Sequence, residues 1–128
     1  MSALEAAISG EQAALYAYGL AGPVLDAADR DRALGALAAH RARILLLREN
    51  ATPTDEPGTP GGYGIDAPTS ADEARRLLSD VESKLAAVYA DLAAATTGDE
   101  RAESVLAACE CEVRAIGWGG APESFPGR

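Results

Sequence analysis

Ala51-Thr52-Pro53-Thr54-Asp55-Glu56-Pro57-Gly58-Thr59-Pro60-Gly61-Gly62 cannot be helix or central strand, because each proline removes a backbone donor and the glycines favour turns. The break extends from Asn50 to Ser70 and divides the chain into two halves with long helical patterns. Each half is interrupted once, near Gly22-Pro23 through Asp29 and near Thr97-Gly98-Asp99. Four helices are predicted, over 2–26, 30–49, 70–96 and 99–117, with a long loop at 50–69 and an extended tail at 119–128. Ser70 followed by Glu73 reads as a capping box for helix three, and Asp99 as the N-cap of helix four.

The rest of the composition agrees with an all-α chain. At 128 residues it is one domain, 1–128, large enough to enclose one core. Its apolar residues are mostly Ala and Leu, with few aromatics, which suits helices and not strands. A net charge of -9 excludes nucleic acid and anionic membranes as partners, since phosphate binding needs clustered Lys and Arg. The N-terminus lacks a basic region followed by an apolar core, and no apolar run reaches the length of a membrane span, so the expected location is the cytoplasm.

The helix seams carry the candidate site. Helix one reads Leu4, Ile8, Glu11, Leu15, Tyr18, Gly22 and Leu25, with one carboxylate inside an apolar stripe. Helix two reads Ala33, Leu37, His40, Ile44 and Leu47, centred on the chain's one histidine. Helix three fits two registers, and its inner face is expected to include Val81, with Glu82 toward an edge. Helix four offers Ala102, Leu106, Cys109, Val113 and Ile116 as its seam, with Glu110 and Glu112 beside it. Since a buried charge costs several kcal/mol unless partnered, Glu11, His40 and Glu82 are expected to touch near the midpoints of their helices, with Cys109 at a similar height.

Cys109 and Cys111 project to different sides of one helix and do not pair; both are read as packing residues. Gly61-Gly62-Tyr63-Gly64 follows no strand and reads as a turn in which Tyr63 pins the loop to the bundle. Tyr16, Tyr18, Tyr89 and Trp118 fit core or interface positions better than a redox or ligand-binding cluster. A single histidine gives no nucleophile, base and orienter set, so catalysis is not assigned.

Short, long, short connections are the pattern of ferritin-like bundles with one long crossover. Glu11-Gln12-Ala13-Ala14-Leu15-Tyr16-Ala17-Tyr18-Gly19, Ala39-His40-Arg41-Ala42-Arg43, the run from Val81-Glu82 to Ala87-Val88-Tyr89, Trp118 and Phe125-Pro126-Gly127 resemble an actinobacterial ferritin-like family of unassigned function, DUF4439. The resemblance implies an all-α, ferritin-like four-helix bundle and carries over no established activity. The wider superfamily holds two metal ions with a Glu from each of two helices and Glu-x-x-His from the others. This chain has Leu37 three residues before His40 and no histidine in helix four, so a standard di-iron site is not expected.

Two function classes follow. One is a metal-free structural or interaction module, with His40 paired to a carboxylate and Arg41, Arg43 or Arg114 neutralising the remainder. The alternative is one divalent ion (Fe, Mn or Zn) at Glu11, His40 and Glu82, with Glu110 or Glu112 as a fourth ligand, supporting redox or Lewis-acid chemistry. A homodimer burying a leftover apolar stripe is also expected.

Overall fold

The computed structural model describes residues 1–58 and 64–120. Tyr63 and the Phe125-Pro126-Gly127 tail lie outside them. Helix α1 spans Ala3–Ala21, α2 Ala27–Glu49, α3 Ala71–Ala94 and α4 Gly98–Gly117, and among the described residues there is no strand. The fold is all-α.

Local chemistry sets the helix ends. Ser2 caps α1 and Asp26 caps α2, each accepting the backbone N–H three residues on. Helix α1 ends at Ala21, earlier than position 26, because Gly22-Pro23-Val24 tightens into a 3-10 turn. Asp26 then opens α2 before position 30. Ser70 caps α3 as expected, but Glu73 reaches back to Thr69 N–H and Oγ1 and not to Ser70. Thr97, and not Asp99, precedes α4, and Gly98 takes φ +60°, which lets the chain turn directly from α3 into α4.

Helix α3 packs on α4 and on α1, and α1 packs on α2. Tyr18 meets Glu82 while Glu11 meets Tyr89, so α1 and α3 run antiparallel, and α2, which returns along α1, runs parallel to α3. Alanines carry the close approaches: Ala7, Ala14, Ala17 and Ala21 of α1 are all fully buried. At Gly10 a Cβ would stand 2.8 Å from a Leu85 methyl, so α1 and α3 touch there with no room for a side chain. Helices α2 and α4 are further apart and are bridged by long side chains. Arg43 reaches Glu103 and Glu110, and Arg32 reaches Gly117 O.

Helix α4 corrects one expectation. Its core side is Ser104, Ala107, Ala108, Cys111 and Ala115. The stripe read as its seam lies outside: Leu106, Val113 and Ile116 are 49%, 68% and 41% exposed, and Ala102 and Cys109 are exposed as well. Small residues face α3 because the two helices pack tightly; the large ones are left to solvent. Helix α3 likewise uses the register Leu78-Glu82-Leu85-Tyr89-Leu92, placing Glu82 fully inside and Val81 only half inside.

The two hairpins are also related to each other. The differences 82 minus 11, 89 minus 18, 101 minus 30 and 114 minus 43 are all 71, and they match Glu to Glu, Tyr to Tyr and Arg to Arg. The contacts repeat with the residues. Tyr18 Oη donates to Glu82 at 2.6 Å and Tyr89 Oη to Glu11 at 2.6 Å; Arg30 Nε bonds Gly22 O at 3.1 Å and Arg101 Nε bonds Ala93 O at 3.0 Å. Hairpins α1–α2 and α3–α4 are thus copies of one plan in approximate twofold relation.

Candidate functional site

Glu11, His40 and Glu82 are each 0% exposed and meet at the middle of the bundle. His40 stands between the two carboxylates, with Nδ1 2.6 Å from Glu11 Oε2 and Nε2 2.8 Å from Glu82 Oε2. An ionised carboxylate only accepts, so both ring nitrogens must donate, which requires the imidazolium. Burial opposes that charge, but the hydrogen bonds to Glu11 and Glu82 outweigh it and push the His40 pKa up to about 9. Glu82 balances the same forces: burial favours its neutral form, yet the bonds and charges of His40 and Arg114 hold its carboxyl below the usual range.

A second ring of donors completes the cluster. Glu82 Oε2 accepts from Tyr18 at 2.6 Å and from Arg114 Nε at 2.9 Å as well as from His40. Glu11 Oε1 accepts from Tyr89. Trp118 Nε1 donates to Tyr18 Oη at 2.9 Å, and the Arg32 guanidinium lies 4.3 Å from the Trp118 ring centroid. Burial and the neighbouring carboxylates push both phenols far above their ordinary value, so they remain donors at any ordinary pH. Two carboxylates, one imidazolium and one guanidinium sum to zero, which lets the group stay ionised in a dry core.

The sequence-predicted trio is therefore brought together, and of the three arginines named, Arg114 supplies the neutralising charge. Glu110 instead pairs with Arg43 at 3.3 Å. Cys111 is buried, with burial pushing its thiol up, and stands 71 residues after His40 at the matching place in the second hairpin. Cys109 is exposed and is not a packing residue of the monomer. Sequence reasoning missed the roles of Tyr18, Tyr89 and Trp118 as donors to the cluster. The signal was available: each buried Glu is followed seven residues later by Tyr, and antiparallel packing of α1 on α3 exchanges the partners.

For metal chemistry the arrangement matters more than the residue types. The carboxylates approach opposite nitrogens of one ring, so the three groups address each other and not a common point. Among the described residues no three His, Cys, Asp or Glu side chains are grouped to hold an ion. Within the cluster, Glu82 Oε1 has no hydrogen-bond partner among the described residues.

The fold and the site together define a four-helix bundle pinned by a buried Glu–His–Glu ion cluster. The chain belongs to the family described as Domain of unknown function (DUF4439), whose pattern matches residues 3–128. It is similar to a solved structure, a conserved hypothetical protein, rv2844, from Mycobacterium tuberculosis, at 27% identity over 91% of each chain with a TM-score of 0.78. No curated protein matches it.

Proposed function

We propose that this chain is a metal-free interaction module of ferritin-like topology, in which a proton-charged histidine holds together the carboxylates that related bundles give to metal. The observation that carries this reading is the engagement of both imidazole nitrogens by opposed carboxylates at 2.6 and 2.8 Å. A first-row ion needs a free imidazole nitrogen and converging donors. Here the ring proton occupies the place on each side that an ion would need.

The interaction half of the reading rests on α4. Its outer stripe of Ala102, Val105, Leu106, Cys109, Val113 and Ile116 covers roughly 100° of the helix with no charge in it, on a chain of net charge -9. Cys109 is its midpoint, and an antiparallel second copy would set Val105 against Val113 and Ala102 against Ile116. We read the partner as a second copy and the setting as the cytoplasm; among the described residues no helix is long and apolar enough to cross a membrane. Chemical denaturation with and without Fe(II), Mn(II) or Zn(II), together with light scattering at micromolar concentration, tests both halves. A metal-dependent rise in stability overturns the first half, and a monomeric mass the second.

One observation favours the alternative, a single divalent ion at Glu11, His40 and Glu82. The unpartnered lone pairs of Glu82 Oε1 are a ready oxygen donor. That reading requires His40 to lose a proton and release one carboxylate, so stoichiometric uptake with proton release on metal addition would establish it.

A further inference from the structure

A cavity of about 370 Å³ opens where the C-terminal end of α2 faces the N-terminal end of α4. Tyr89 forms its inner wall, Leu4, Leu47 and Leu92 line it, and Arg43 and Glu103 span its mouth. The twofold relation between the hairpins shows what such a place accepts. Adding 71 or subtracting it carries Tyr89 to Tyr18, Leu92 to Ala21, Ser104 to Ala33 and Glu103 to Arg32. Those counterparts border a filled site at the other end of the bundle. Tyr18 accepts the Trp118 N–H, Arg32 lies over the indole, and Ala21 and Ala33 belong to the same buried cluster. Trp118 is the counterpart of Leu47. The cavity is the place of an indole that hairpin α1–α2, with Leu47 where the other hairpin has Trp118, does not supply.

Charge then sets the rest of the ligand. At the filled end the residue over the ring is the cation Arg32; at the open end the same position is Glu103, with Glu49, Asp99 and Glu100 also on the cavity wall. Among the described residues Arg43 is the one cation lining it, and it is already paired with Glu103 and Glu110. Tyr89 Oη donates its proton to Glu11 and retains a lone pair, as Tyr18 Oη does for Trp118. We propose that the cavity binds an arylalkylamine: a planar ring seated on Leu47 and Leu92, a ring N–H donated to Tyr89 Oη, and an alkylammonium group held by Glu103 and its neighbouring carboxylates. The proposal is independent of whether the Glu–His–Glu cluster takes a metal.

Titration calorimetry on the full chain at neutral pH, with tryptamine, indole, phenethylamine and indole-3-propionate as probes, tests it. Tryptamine should bind most tightly. Phenethylamine, without the ring N–H, should bind several-fold more weakly, and indole-3-propionate, of the wrong sign, about tenfold or more weakly. Leu47→Trp should place an indole in the cavity as Trp118 does at the other end and abolish binding. Should that variant not fold, Asp99→Asn with Glu100→Gln, both exposed, should reduce the advantage of tryptamine over indole. No heat with tryptamine, equal affinity for the carboxylate, undiminished binding to a folded Leu47→Trp protein, or an unchanged tryptamine-to-indole ratio in the double variant would each overturn the assignment.

Discussion

Raising the pH from 6.5 to 9 should strip this protein of a large part of its stability, and His40 should be the reason. The unfolded chain releases the His40 proton near 6.5, whereas the folded chain holds it to about 9. The folded form therefore binds the proton more tightly, and its advantage is complete below pH 6.5 and lost as the pH climbs through 9. A difference of that size corresponds to about 3 kcal/mol, against a usual total of about 5–15 for a domain. For a chain of this length that is about 10–15 °C in melting temperature. Urea denaturation in matched ionic strength at pH 5.5, 6.5, 7.5, 8.5 and 9 reads it directly. Glu82, held below its ordinary value, gives the opposite limb, with stability lost as the pH falls below 4.5. Stability should thus peak between about pH 5 and 6.5.

The control is His40→Gln, which keeps two polar ends in the gap and cannot ionise. It should be less stable at pH 6 and should show a much flatter alkaline limb. Above pH 9 Cys111 and then the buried tyrosines add losses of their own, because burial raises each of them, so the comparison stops there. A wild-type curve that is flat from 6.5 to 9, or a slope that His40→Gln leaves unchanged, would refute the imidazolium assignment.

His40→Ala should destabilise the protein by about 3–5 kcal/mol, by leaving two carboxylates against one guanidinium, whereas Glu11→Leu with His40→Leu leaves the Glu82–Arg114 pair balanced and should cost less than the single change; denaturant midpoints of all three proteins decide. Tyr18→Phe removes the hydroxyl shared by Glu82 and Trp118, and should cost about 1–3 kcal/mol with a change in tryptophan emission at unchanged helix content. Val113→Lys, on the exposed face of α4, should halve the particle mass in light scattering with little change in melting temperature. Mild oxidation should cross-link the wild type through Cys109 and should fail in Cys109→Ser.

Much of this could be read from the sequence, and the failures share a physical cause. The proline and glycine break at 51–62 gave the crossover, and Glu11 and His40 showed themselves as polar residues inside apolar stripes. Helix α4 defeated the same reasoning because periodicity locates an apolar stripe without saying what covers it. Where two helices pack closely, the inward positions go to small residues, here Ser104, Ala107, Ala108, Cys111 and Ala115, and hydropathy ranks those below the Leu, Val and Ile left outside. Glu82 was ambiguous for a related reason, since adjacent registers of α3 are equally apolar and its contacts with Tyr18, His40 and Arg114 select one.

The twofold plan explains why one histidine suffices. Packing two like hairpins brings their equivalent glutamates, Glu11 and Glu82, toward each other at the centre, each supplied with a tyrosine by the opposite hairpin. Two carboxylates facing each other in a dry core cannot both stay ionised without a cation between them. Only one side chain can stand in that gap, so the symmetry must break there: His40 enters from α2, and its counterpart in α4 is Cys111, smaller and uncharged. The arginines part in the same way. Arg114 turns inward to Glu82 and brings the cluster to neutrality, while Arg43 turns outward to Glu103 and Glu110 across the α2–α4 gap. A second imidazolium or a second inward arginine would leave net positive charge in the core. The asymmetry between the halves is thus what charge balance requires of a symmetric pair of buried glutamates.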